Sequence, residues 1–326
     1  MGNLLITSKC NRKCSFCFAR QRLNSRNEPS NITRENIRKV MDFSSRSGTK
    51  QLRLLGGEPS VHPEFTDILD EAISDGFHVH VFTNGMFSAG VTDYIEQMSD
   101  SEISFLCNIS PQAKDSEKQI RDRTYALKKL GQKITLSITL TSPDFEFDYL
   151  IDIIKEYNLR KHIRVGIAQP IVGQENDYLH PDDYRETGRA IMNMTNACIA
   201  EDILIGFDCG MTLCMFSEAE LGQLQTRTEG FKSVCNPIVD IGLDLSVWSC
   251  FPLSDILNSH LDSFDNRMEI TAFYEKELAP YRTLGCKSEC LTCDFKRRGQ
   301  CFGGCLAHAI NSLSKKPPRE SGKMKK

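Results

Sequence analysis

Six apolar runs, at 3–7, 51–55, 77–82, 103–109, 133–141 and 163–168, alternate with stretches whose apolar residues recur at helical spacing. That alternation constrains the fold of this chain more than any other feature. Repeated strand–helix units lay their strands parallel and cover the sheet with helices. The helical stretches are marked by Ile37, Val40 and Met41, by Ile68, Leu69, Ala72 and Ile73, by Ile120, Leu127 and Leu130, and by Leu150, Ile151 and Ile154. Asn31 or Thr33 can cap the first, Gly76 and Gly131 end two others, and Pro181 suits the first turn of a later one. In folds of this kind the chemistry sits at the C-terminal ends of the strands.

The first strand leads into Cys10-Asn11-Arg12-Lys13-Cys14-Ser15-Phe16-Cys17, three thiols spaced C-x3-C-x2-C in one loop. Thiolates are soft, strongly donating ligands suited to iron–sulfur clusters and zinc. Structural zinc wants four closed ligands, but the next histidine is His62 and the next cysteine Cys107. Three thiolates leave one metal corner open. The second strand ends in Gly56-Gly57-Glu58-Pro59, where two glycines let the backbone approach a ligand closely. The third ends in Thr83-Asn84-Gly85. On the fourth, alternation places Ser104, Leu106, Asn108 and Ser110 on one face, with Cys107 on the other as a buried apolar residue. His62, His78 and His80 are expected to be satisfied structural residues.

Fourteen cysteines are many for a chain of 326 residues. Seven lie between Cys235 and Cys305, and Cys209 and Cys214 precede them. Cys235 and Cys250 bracket a segment that reads as a hairpin turning near positions 242–244. Cys286, Cys290, Cys293, Cys301 and Cys305 follow, the last two as Cys-Phe-Gly-Gly-Cys. In the cytosol thiols stay reduced, so such clusters point to metal or catalysis rather than disulfides. A net charge of −3 argues against nucleic acid as the main partner. No apolar run reaches membrane-span length, and positions 1–7 are too short for a signal peptide, so a cytoplasmic location is expected. Positions 314–326 hold six Lys or Arg against one Glu and read as a solvated basic tail.

Together the C-x3-C-x2-C loop with its aromatic Phe16, the GGEP turn and the Thr-Asn-Gly turn resemble the radical S-adenosylmethionine (SAM) enzymes, over about residues 1–200. The resemblance implies a partial (β/α)6 TIM-like barrel and a [4Fe–4S] cluster held by Cys10, Cys14 and Cys17. In that superfamily the reduced cluster cleaves SAM to a 5′-deoxyadenosyl radical, which takes a hydrogen atom from substrate. The motif match assigns cofactor contacts to Phe16, Gly56, Gly57, Glu58, Pro59, Thr83, Asn84, Asn108 and Ser110.

The C-terminal cysteines resemble the SPASM domain, or its shorter twitch form, which holds one or two auxiliary [4Fe–4S] clusters. The pattern departs from that domain in the long gap from Cys293 to Cys301, in Leu245 where a glycine is usual, and in the lack of a cysteine after Cys305. The implied ligands are Cys235, Cys250, Cys286, Cys290, Cys293, Cys301 and Cys305. Cys214 is expected as a further ligand to the cluster of Cys235, Cys250 and Cys305. Cys209 is expected at the active site, where a thiol could return a hydrogen atom. The expected organisation is a core at 1–205, a small cysteine-rich α+β domain at 206–313 and the tail.

The resemblance further implies a flavodoxin or ferredoxin as electron donor and no membrane partner. Substrate is expected to be a peptide, modified by a maturase, with a sugar or aminocyclitol dehydrogenase or epimerase as the alternative. With the cysteine loop starting at residue 10, an N-terminal peptide-binding domain is not expected. Phe251, where sulfatase-maturing enzymes carry an acidic base, counts against that activity. A non-catalytic zinc or iron–sulfur interaction protein is the alternative from another class.

Overall fold

The computed structural model describes residues 2–23, 29–111, 115–231 and 233–314. The basic tail therefore lies, but for Ser314, outside the described residues. Seven parallel strands form the core: β1 (Asn3–Leu5), β2 (Gln51–Leu55), β3 (His78–Thr83), β4 (Ile103–Asn108), β5 (Ile134–Leu140), β6 (His162–Ile167) and β7 (Leu204–Phe207). They lie in sequence order, so each strand returns beside its predecessor through an outer helix. Then come β8 (Asp240–Ile241), β9 (Ser246–Trp248) and β10 (Asn258–His260). β8 pairs parallel with the free side of β1, and β9 and β10 continue antiparallel, giving one ten-stranded sheet. The sheet thus runs on past position 205 at one edge and takes the hairpin between Cys235 and Cys250 at the other.

Side-chain alternation decides which face is which. On β3, Val79, Val81 and Thr83 are buried beneath the helices, while His78, His80 and Phe82 face inward and stay partly open. Leu52, Leu54, Val79, Val81 and Phe105 are wholly buried, each worth about 1.5–3 kcal/mol. The inner face is concave: Arg53 on β2 and Arg164 on β6 lie four strands apart yet repel each other electrostatically. The sheet curls into the expected partial barrel.

The helices follow their end signals. Thr33, not Asn31, caps Arg34–Arg46 by accepting from the Asn36 N–H, and Ser116 with Gln119 forms a capping box on Glu117–Leu130. Gly76 follows Phe65–Ser74 with φ +78°, a left-handed conformation that favours glycine. Pro181 opens the turn Pro181–Asp183 that feeds Tyr184–Ala200. One apolar residue departs from expectation: Ile120 is 47 % exposed, and Ala126, Leu127 and Leu130 supply the buried stripe of that helix. No helix of the described residues is long and apolar enough to cross a membrane.

Candidate active site at the mouth of the barrel

The cysteine loop leaves β1 at the C-terminal end of the sheet and is stitched to its surroundings by backbone. Gly57 N–H donates to the Thr7 carbonyl (2.9 Å) and Glu58 N–H to the Lys9 carbonyl (2.9 Å). A Cβ on Gly57 would run into the Lys9 carbonyl and lie 2.7 Å from the Cβ of Cys10. The two motifs found separately in the sequence therefore touch, and glycine is what lets them.

Glu58 is buried beneath this contact. Its carboxylate accepts from Thr83 Oγ1 (2.8 Å), the Asn84 N–H (2.8 Å) and Ser60 Oγ (2.9 Å). Burial still raises its pKa, against those donors. Asn84 Nδ2 donates to Asn11 Oδ1 inside the cysteine loop (2.7 Å), and Asn11 Nδ2 to the Met86 carbonyl (3.2 Å). The GGEP turn, the Thr-Asn-Gly turn and the cysteine loop thus form one hydrogen-bonded unit.

The loop is anchored a second time by Arg12. Its guanidinium bonds Asp115 through Nε (2.9 Å) and Nη2 (2.8 Å), and Nη2 also bonds the Ser110 carbonyl (3.0 Å). Arg123 reaches the same carboxylate at 3.2 Å. Asn108 Nδ2 donates to Thr139 Oγ1 (2.8 Å), and Ser110 Oγ accepts from the Thr139 N–H (2.8 Å). Both residues sit at the mouth, with these atoms engaged between strands. His62, His78 and His80 are each hydrogen-bonded, as expected of structural histidines, and Cys107 is buried under the helices.

Burial pushes the Cys10 thiol up to about 12 and raises Cys14 and Cys17 too, and the charge of Cys17 adds to the effect at both Cys10 and Cys14. Three such thiols become thiolates together when a cation neutralises them. The loop offers further compensation: the Arg12 N–H points at Cys10 Sγ (3.4 Å), and the Arg12 guanidinium favours the Cys14 thiolate.

The nine C-terminal thiols sort into groups by electrostatic contact. Cys250 and Cys305 both feel Cys235 and Cys209. Cys286 feels Cys290, Cys214 and Cys301, and its thiol donates to Cys290, which lowers the Cys290 pKa. Thr212 Oγ1 lies 3.2 Å from Cys214 Sγ, and the Gly303 N–H 3.3 Å from Cys301 Sγ. Cys293 stands beside Arg297. Of the two linker thiols, Cys209 shares its electrostatic neighbours with Cys235, Cys250 and Cys305, and Cys214 with Cys286, Cys290 and Cys301. Cys209 still reaches solvent, although surrounding protein and Asp208 push its thiol up to about 12. Among the described residues no three metal-binding side chains converge closely enough to hold a single ion.

A cleft of about 1090 Å3 runs from Ser15 in the cysteine loop and Arg20 just after it, past Asp177 and Tyr178, to Cys286 and Lys287. Its rim at 170–180 is fixed: the Asp177 N–H donates to the Ser15 carbonyl (3.2 Å), and Asn311 bonds Gly173 N (3.0 Å) and the Ile171 carbonyl (3.1 Å).

Residues 4–165, which carry both the cysteine loop and the GGEP turn, match the model of the Radical SAM superfamily. Over these residues, just under half of its length, the chain is similar to a radical SAM domain. That family implies a [4Fe–4S] cluster and SAM, and its members are enzymes of radical chemistry. The residues present fit the pair: three thiols in one loop, N–H and guanidinium groups favouring thiolate, and a glycine turn packed against them. The chain is 33 % identical over 84 residues to an S-adenosylmethionine-dependent nucleotide dehydratase of Selenomonas ruminantium, covering 26 % of this chain and 29 % of that protein. Over 84 residues it is also 33 % identical to a GTP 3′,8-cyclase of Haemophilus influenzae, covering 25 % of each. The chain thus spans less than a third of the length of these curated relatives.

The fold extends further than the sequence likeness. SuiB of Streptococcus suis bound to S-adenosylmethionine superposes with a TM-score of 0.66 at 15 % identity, over 97 % of this chain and 74 % of that one. The structure of anSMEcpe with bound AdoMet gives 0.63 at 18 % identity, over 96 % and 95 %. At such identities these two show a shared fold.

Proposed function

We propose that this chain is a peptide-modifying radical SAM enzyme with auxiliary iron–sulfur centres in its cysteine-rich segment. The observation that carries the reading is the contact of Gly57 with the Cys10–Cys17 loop, whose Ser15 also lines the cleft of about 1090 Å3. Cys10, Cys14 and Cys17 hold the cluster. The Gly56-Gly57 backbone and Pro59, with Phe16, border SAM, and Glu58, Thr83 and Asn84 set the height of that turn. Asn108 and Ser110 face the SAM ribose. When bound, the cluster and SAM supply hydrogen-atom abstraction; the chain orients the partners and shields them from water.

The cleft's volume of about 1090 Å3 supports a substrate as large as a peptide segment. So does the likeness in fold to SuiB bound to the precursor peptide SuiA, with a TM-score of 0.65 at 16 % identity. In this reading Cys209, Cys235, Cys250 and Cys305 hold one auxiliary centre. Cys214, Cys286, Cys290 and Cys301 hold a second, and Cys293 is the spare thiol beside it. Both form a SPASM-like domain, a reduced flavodoxin or ferredoxin delivers the electron, and the enzyme works in the cytoplasm.

A small-molecule dehydrogenase or epimerase is the second reading. It is favoured by the solvent contact of Cys209, a thiol able to return a hydrogen atom. Anaerobic protein supplied with dithionite and SAM is expected to release 5′-deoxyadenosine, and the Cys14→Ala variant is not. Protein that binds SAM but never cleaves it on reduction would instead be a non-catalytic cluster- or zinc-binding protein.

A further inference from the structure

The cleft that begins at Ser15 ends where the chain leaves the described residues. Asn311 and Ser312, in the last turn of the helix Leu306–Ser314, line it. Asn311 is fastened to the rim by its bonds to the Gly173 N–H (3.0 Å) and the Ile171 carbonyl (3.1 Å). Residue 315 therefore starts about one helical turn from a fixed point on that rim. The segment that starts there, 315–326, holds six Lys or Arg against one Glu, hence a charge of +5.

The rim it meets is acidic. Glu175 and Asp177 follow Gly173 closely, line the cleft and are exposed. Among the described residues neither carboxylate has an ion pair or hydrogen bond. The other charges of the lining cancel, with the histidines counted neutral. Lys287 pairs with Asp182 (3.7 Å), and Arg20 offsets Glu289 in the sum. Glu175 and Asp177 are the surplus. His308 adds an open polar group to the same wall. It is 9 % exposed; its Nε2 meets the Tyr184 hydroxyl (3.4 Å), and among the described residues nothing bonds its Nδ1. The Tyr178 ring stands edge to face with it, centroids 5.5 Å apart, and offers a cation an aromatic face.

We propose that the chain's own basic segment, residues 315–326, lies in this cleft, with its lysines and Arg319 against Glu175 and Asp177. Twelve extended residues reach at most about 40 Å, and Pro317-Pro318 favours the extended form. Exposed ion pairs are weak singly. A tether this short compensates, because it supplies an effective concentration in the millimolar range that a free peptide lacks. The segment then competes with a peptide substrate for the cleft. That consequence rests on the peptide reading above; occupancy by the segment does not.

The test is limited trypsin digestion of the full-chain anaerobic holoenzyme, with cleavage after Arg319 and Lys323 timed by mass spectrometry. It uses neither substrate nor turnover, so it can fail while the peptide reading stands, and the reverse. Glu175→Gln/Asp177→Asn should be cut about two- to thirtyfold faster than wild type, the range for two exposed ion pairs. Glu117→Gln/Asp202→Asn removes the same charge outside the cleft, at side chains 95 % and 94 % exposed, and should be cut at the wild-type rate. At about 1 M salt, where charges are screened within about 3 Å, all three proteins should converge. A labelled peptide of the 315–326 sequence should bind more tightly once Lys315, Lys316, Arg319 and Lys323 of the chain itself are replaced by Gln, because the cleft is then free. Three results overturn the proposal: equal cutting of wild type and Glu175→Gln/Asp177→Asn, equal peptide binding with and without the chain's own basic residues, or protection that grows with protein concentration, as expected of a segment lodged in a second copy.

Discussion

Replacing Arg12 by Gln should loosen the cysteine loop without touching a thiol. The side chains of Arg12 and Asp115 are 4 % and 8 % exposed, and breaking one side of a buried pair typically costs 3–5 kcal/mol. Here Arg123 remains on Asp115 at 3.2 Å, so the carboxylate keeps one cationic partner. Two bonds to Asp115 and one to the Ser110 carbonyl are lost. About 2–3 kcal/mol is the expected net loss, felt as easier local opening of residues 10–17. At about 1.4 kcal/mol per tenfold, that is a 30- to 150-fold faster opening. Iron loss to a chelator, followed by visible absorbance under anaerobic conditions, reports it, with the C-terminal iron as a slow internal reference. Because both residues act through one contact, the double variant Arg12→Gln/Asp115→Asn should lose iron no faster than Arg12→Gln alone. Wild-type rates in Arg12→Gln, or multiplying effects in the double variant, would refute the reasoning.

Gly57→Ala should abolish SAM binding and N-terminal cluster retention while leaving C-terminal iron, measured by iron analysis, because backbone at Lys9 blocks the methyl group. Cys209→Ala and Cys214→Ala should each lose about four irons. Cys209→Ala combined with Cys250→Ala should lose no more than either alone, whereas Cys209→Ala combined with Cys214→Ala should lose both sets. Full iron in Cys209→Ala with lost turnover would favour the hydrogen-donor role instead. His80 stays neutral in the fold but charges on unfolding below pH 6.5. Its contribution is therefore whole above about pH 6.5 and lost as pH falls toward 4, about 3 kcal/mol in all. His80→Asn should show a smaller drop in melting temperature between pH 7 and 4.5 than the wild type; an equal drop would count against it.

The six strands were legible because each is a short apolar run bounded by helix periodicity, and β2 begins and ends where its sequence does. β7 was harder to read: Leu204–Phe207 is four residues long and merges with the glycines and cysteines that follow. Ile120 misled because periodicity marks a stripe but does not say where the stripe stops. At the mouth, spacing brought out the cysteine loop, and the resemblance to the radical SAM motif brought out the GGEP turn. The Arg12–Asp115 pair joins residues 103 positions apart, and no local pattern announces it. Glu58 stood in the motif, yet its carboxylate, bonded to Thr83 and Asn84, needed the fold to be seen. Sequence distance to Cys235 favoured Cys214 over Cys209, but the turn at 209–215 carries the two thiols toward different neighbours.

The pairing of β8 with β1 has a practical consequence for anyone who would divide this chain. A core cut after β7 would bare the outer side of Asn3 and Leu4, now bonded to Asp240 and Ile241. It would also lose the bond from Asn3 Nδ2 to Asp240 (2.8 Å). The cut would turn an interior strand into an open edge beside the cysteine loop, the kind of edge that recruits other chains. Such a fragment should aggregate through the very strand that delivers Cys10, and a transplanted cysteine-rich segment would need a host whose first strand accepts a partner.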